Sequence, residues 1–235
     1  MPKLRANFYF DGYNFYHGIC DTGDKTRLWI DIVSLSRSIL LRKDEKLNAI
    51  HYYTAAPKTD TAKIQRYRTF IALLSDFKWT VGATNERRIV IHEGLYSSHP
   101  HQCKNCGHSY SKHEEKQSDV ALGTQLVRDA LLDEYDVAYI IAADSDYVPA
   151  ISMVKAETPA KQVKVWFPPM RYSKDLQTVA DMHRTVHAAI IDSHKLEEEH
   201  ELSDGTILKR PAVWLSTLQS STPHPVYAPP GASRS

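Results

Sequence analysis

The segment "DVAYIIAAD" (136–144) limits the fold more than any other stretch. It is apolar at consecutive positions rather than alternate ones, and it is only a strand's length. A strand with one wet face alternates, whereas a continuous run this short fits a strand buried on both faces. Such strands occur in parallel sheets covered by helices on each side. The rest of the chain follows that rhythm. "NFYFD" (7–11), "LNAIHYYTA" (47–55), "WTVGA", "RIVIHEG" and "QVKVWF" (162–167) read as strands. Between them, 29–42, 61–77, 114–135 and 173–191 carry helical spacing, and "YVPAISMVKAE" reads as a short helix with Pro149 in its first turn. Ser111 and Glu114 have capping-box spacing ahead of the 114–135 helix.

This pattern predicts an α/β domain with helices on both faces of a mainly parallel sheet, over residues 1–191. A His/Cys-rich insertion occupies 95–113. A polar appendage follows at 192–219, containing "ILKRPAVWLSTL" as a small docking element. The Pro/Ser-rich segment 220–235 reads as disordered. The formal net charge of +1 gives no global attraction to polyanions. The N-terminal residues lack a signal-peptide core, and no stretch approaches the roughly 20 apolar residues of a membrane span. The expectation is a cytoplasmic protein without membrane contact.

Two predicted strands end in carboxylates: Asp11 in "FYFDGYN", and Asp144 with Asp146 in "AADSDY". In an open parallel sheet, ligands bind beyond the carboxyl ends of the strands. Asp119 falls on the same helical face as Leu122, Gly123, Leu126 and Ala130, so its carboxylate faces the sheet. An aspartate after a strand serves equally well as a helix cap. Four acids together are harder to dismiss. Two like charges about 4 Å apart repel by roughly 4 kcal/mol at an effective dielectric near 20. Protonation or a cation must relieve that, and all-oxygen ligands favour Mg²⁺ or Mn²⁺. Asp133 and Asp136 read as ordinary loop and helix-end residues.

"FYFDGYNFY", "EEKQSDVAL" and "YIIAADSDYVPAI" occur in an order that resembles the NYN domain, in its LabA-like branch of the PIN-like nucleases. The resemblance covers roughly residues 5 to 190. It implies a three-layer α/β/α, PIN-like (Rossmann-like) domain and metal-dependent hydrolysis of RNA phosphodiesters. It places Asp11, Asp119, Asp144 and Asp146 as the catalytic, metal-binding acids. Asn14 matches the family's asparagine near the site, Ser145 lies between two acids, and Ala143 stands where many relatives carry glycine. Lys116 is a candidate phosphate contact, as are Arg87, Arg88, Arg171 and Lys174. The alternative is a non-catalytic, RNA-binding regulatory scaffold. A haloacid-dehalogenase-type phosphatase fits less well, because "FDGYN" lacks a second aspartate two residues after the first.

The insertion "HPHQCKNCGHSYSKH" (99–113) holds Cys103 and Cys106 in C-x-x-C spacing among four histidines. Thiolates with imidazoles suit tetrahedral Zn²⁺. The histidine ligands come from His99, His101, His108 and His113, or from His92 upstream. His99 and His113 are favoured because they bracket the knuckle. A structural zinc would supply the folding free energy that this polar loop lacks. Cys20 carries no assigned chemistry and is expected in the loop after the first strand. Tyr9 is expected in the core, while Tyr13 and Tyr16 are candidates to stack on bases. A homodimer would widen an otherwise small cleft.

Overall fold

The computed structural model describes residues 3–58, 60–102 and 105–215, with backbone only for 96–100 and 110–116. In chain order the elements are β1 (Leu4–Asp11), α1 (Gly12–Asp21), α2 (Ile32–Ser38), β2 (Glu45–Ala55) and α3 (Thr61–Asp76). Next come β3 (Lys78–Val81), β4 (Asn85–Arg88), β5 (Val90–Gln102), β6 (Ser109–Lys116) and α4 (Ser118–Leu131). The chain continues with β7 (Val137–Ile141), α5 (Val148–Glu157), β8 (Gln162–Phe167), α6 (Lys174–Val179), β9 (Met182–Thr185) and α7 (Ala188–Asp192). The short strands β10 (Glu199–Glu201) and β11 (Ile207–Lys209) follow.

Seven strands form one sheet in the order β6-β5-β2-β1-β7-β8-β9. Six of them are mutually parallel, and β6 alone runs antiparallel, against β5. Strand residues alternate between two cores. Phe8, Phe10, Tyr52, Tyr139 and Ile141 pack with Phe15, Ile19, Leu35 and Leu73 from α1, α2 and α3. Tyr9, Tyr53, Ile140 and Val165 pack with Leu122, Leu126, Ile151 and Leu176 from α4, α5 and α6. The mainly parallel sheet between helical layers is therefore as expected.

Four local readings are corrected. The segment 173–191 is not one helix; α6 stops at Val179 and an edge strand, β9, precedes α7. Helix α2 covers only Ile32–Ser38, because Trp29 and Ile30 sit in the core as extended chain and Ile30 bridges to Lys195. Ser111 and Glu114 lie in β6 rather than at the start of a helix. Helix α4 starts at Ser118, behind a left-handed Gln117 (φ 81°) with no side-chain cap. Cys20 lies in α1 rather than in a loop. In the C-terminal appendage, Trp214 is buried beside Trp29 and Phe70, which docks that segment on the α1–α3 face.

The insertion is a β-hairpin. Residues 90–94 of β5 pair with β2, and residues 95–102 pair with β6. The outer half of β5 therefore leaves the sheet as a two-stranded arm. Cys103 lies outside the described residues, and so do the side chains of His99, His113 and Lys116. Cys106 is exposed and free. The zinc knuckle is thus not shown. His92, one of the alternative ligands, bonds to His51 through Nε2.

Candidate metal centre

Strands β1 and β7 are hydrogen-bonded neighbours, so the segments leaving their carboxyl ends emerge side by side. Asp11 ends β1 and caps α1: its Oδ1 accepts from the Asn14 amide at 2.8 Å. The turn is tight because Gly12 follows. A Cβ there would stand 2.5 Å from the Tyr53 carbonyl oxygen, so no larger residue fits without moving backbone. Asp144 follows β7 and caps the turn Ser145–Tyr147, accepting from the Asp146 amide at 3.0 Å. The capping role and the ligand role thus coexist, because a carboxylate has two oxygens and a cap uses one.

Asp119 comes from the first turn of α4, where a carboxylate also suits the helix dipole. Asp119, Asp144 and Asp146 each offer an oxygen within 4.8 Å of the others. Asp144 is half-buried; the other two are exposed. Among the described residues, no lysine or arginine pairs with any of the three. Asp11, the fourth acid expected at the metal, lies outside this group of three. It is buried, and it joins the group indirectly.

The connecting group is Tyr147, whose place in the sequence marks only the start of a helix. Its hydroxyl lies 2.9 Å from Asp11 Oδ2 and 2.8 Å from Asp119 Oδ1. Burial, then the two carboxylates, push its phenol well above the usual range, so it stays a proton donor. One phenolic proton thus serves two carboxylates, of which Asp11 also accepts from the Asn14 amide. The signal was the aromatic residue directly after "DSD", whose partner lies 136 residues away.

The other candidates are placed as follows. Asn14 is half-buried in the first turn of α1 and Ser145 is exposed between the two acids. Tyr13 and Tyr16 are exposed on α1, whereas Tyr9 is fully buried. Arg88 contacts the Ser75 carbonyl and Glu86, and Arg171 pairs with Asp21 at 2.5 Å. Asp133 and Asp136 pair with Arg5, as their ordinary reading required. Among the described residues, no helix is long and apolar enough to cross a membrane.

Comparison with known proteins adds three findings. Over 181 residues the chain is 30% identical to a Pseudomonas putida protein named 6-hydroxy-3-succinoylpyridine 3-monooxygenase HspA. That match takes in 66% of this chain and spans 57% of the relative's length. A solved structure from Vibrio parahaemolyticus, of a protein of unknown function, aligns with a TM-score of 0.47 at 14% identity, covering 80% of this chain and 95% of that one. The family model for the NYN domain matches residues 5–187, nearly the whole span of the sheet and its helices, and the chain belongs to the NYN domain family.

Proposed function

We propose that the protein is a metal-dependent ribonuclease. The observation that carries this reading is the convergence of Asp119, Asp144 and Asp146, with an oxygen of each within 4.8 Å of the others and no basic partner among the described residues. Three anions at that spacing repel strongly unless a cation sits between them. The donor set is all oxygen, which fits Mg²⁺ or Mn²⁺. Asp119, Asp144 and Asp146 would hold the ion, and Asp11 would orient Asp119 through Tyr147. Such an ion supplies the positive charge that phosphodiester hydrolysis requires. Asn14, Ser145 and Lys116 are the groups proposed to contact the phosphodiester. The zinc reading at Cys103, Cys106, His99 and His113 stands as a structural proposal beside this one.

The name of the Pseudomonas relative offers a second reading, oxidation of a hydroxylated pyridine. The donor chemistry favours hydrolysis: non-haem iron oxygenases use two histidines and one carboxylate, whereas this rim gathers carboxylates. The test is cleavage of end-labelled single-stranded RNA in Mg²⁺ or Mn²⁺ by wild type and by Asp144→Asn. Wild type should cut, and the variant should lose about a hundredfold or more in rate while remaining folded. Equal cutting by both proteins would defeat the proposal. Binding without cutting would favour the regulatory scaffold. Oxygen uptake with 6-hydroxy-3-succinoylpyridine and a reductant would favour the oxygenase.

A further inference from the structure

A second polar chain lies on the α4 side of the sheet. Asp129 is 1% exposed, on the buried face of α4. Its Oδ2 accepts from Tyr9 Oη at 2.8 Å, and its Oδ1 accepts from Gln125 Nε2 at 2.7 Å and Arg128 at 2.9 Å. His51 Nε2 stands 3.6 Å from Oδ2, too long for a hydrogen bond but close enough to feel the charge. On its other side, His51 Nδ1 meets His92 Nε2 at 3.0 Å. Burial pushes His51 down to about 4 and also lowers His92. Two imidazole nitrogens 3.0 Å apart can hold only one proton between them, so one ring donates and the other accepts.

The carboxylate decides the direction. A negative oxygen facing His51 Nε2 favours the proton on that nitrogen. His51 Nδ1 is then an acceptor, so His92 donates from Nε2. The Nδ1 of His92 is left with its lone pair and no hydrogen-bond partner among the described residues. The orientation is held further by the Tyr53 ring, stacked on His92 at 4.4 Å and 8°.

Register places His92 on the same rim as the acids. Asp11 pairs laterally with Tyr53, and Tyr53 with His92, so the three form one row on one face of the sheet. Two strand spacings put His92 about 10 Å from Asp11. His92 and Asp119 also flank the base of the arm, where Leu95 is opposite Lys116. A phosphate is only an acceptor and would gain nothing from a lone pair. A ribose hydroxyl or an exocyclic base amine would.

We propose that His92 contacts the substrate, accepting a hydrogen bond through Nδ1 from a donor on the bound RNA strand; this rests on the ribonuclease reading above. Asp129 and His51 are positioning residues that fix its tautomer. On a single-stranded octaribonucleotide with Mg²⁺, His92→Leu should raise KM about threefold to tenfold, the worth of one neutral hydrogen bond, with kcat within about twofold. His92→Asn keeps an acceptor near the same place and should recover most of the loss. An unchanged KM for His92→Leu overturns the proposal.

A second readout needs no cleavage. Nitrogen-15 NMR of the histidine rings should show His92 protonated at Nε2, and its Nδ1 resonance should move when metal-free octaribonucleotide is added. A proton on Nδ1, or no movement with RNA bound, would overturn it. A shift that persists with the 2′-deoxy strand assigns the base amine, and one lost with that strand assigns the ribose hydroxyl. Protein that binds and shifts but never cuts defeats only the ribonuclease reading. Protein that binds no RNA defeats both.

Discussion

The two ends of the sheet treat negative charge in opposite ways. At the amino end every acid described above has a cation beside it. Arg5 joins Asp136 at 2.9 Å and Asp133 at 3.0 Å, and Lys161 reaches Asp133 at 2.6 Å. Glu45 is fully buried, yet it has Lys164 at 2.5 Å and the Tyr139 hydroxyl at 2.5 Å. At the carboxyl end, Asp144 accepts from an amide and Asp119 from a phenol, and among the described residues no lysine or arginine pairs with Asp119, Asp144 or Asp146. The first arrangement is complete in itself. The second leaves a charge deficit at the place where parallel sheets bind ligands.

This contrast makes the amino end the costlier one to disturb. Lys164→Ala leaves Glu45 buried without its cation, and a broken buried pair costs about 3–5 kcal/mol. The melting temperature should fall by about 10 °C in a thermal scan. Next in size is Tyr147→Phe, which removes the one proton shared by Asp11 and Asp119. It should cost about 1–3 kcal/mol in a denaturant titration and slow RNA cleavage about tenfold. Asp119→Asn or Asp146→Asn, measured without divalent metal, should leave the melting temperature level or raise it by about 1–2 °C, because repulsion is relieved. A drop as large as that of Lys164→Ala would erase the contrast.

The smallest effect concerns acid. The hydrogen bond from Arg5 holds the Asp136 carboxyl below its ordinary range. Its folded value lies under its unfolded one, so its contribution is fully present above about pH 4 and fades as pH falls through the depressed value. The gap in melting temperature between wild type and Asp136→Asn should be widest near pH 6 and close towards pH 3. A gap independent of pH would mean that Arg5 stabilises through packing alone.

The sequence reading succeeded where burial was symmetrical. β7 is an unbroken apolar run and β1 and β8 are buried along most of their length, and the acids following β1 and β7 could be placed on one rim by topology alone. It failed at the edges. β9 is a four-residue strand with three exposed members, "MHR", so it carries no period-2 signal and disappears into the helical spacing around it. β6 is polar throughout, and its "EEK" resembles the first turn of a helix. Tyr147 and Asp129 were missed for another reason. Their roles depend on partners 136 and 120 residues away, and no local pattern encodes such a meeting.

The arm carries one more implication. A two-stranded ribbon has little stability of its own. Here eight paired positions, about 26 Å of ladder, extend past the point where β2 ends, and the ribbon's two roots lead to His92 and Asp119. A load applied anywhere along that ribbon is borne by the residues at its roots. Any displacement of the ribbon therefore acts on the spacing between the histidine and the acids, although the ribbon itself contains neither.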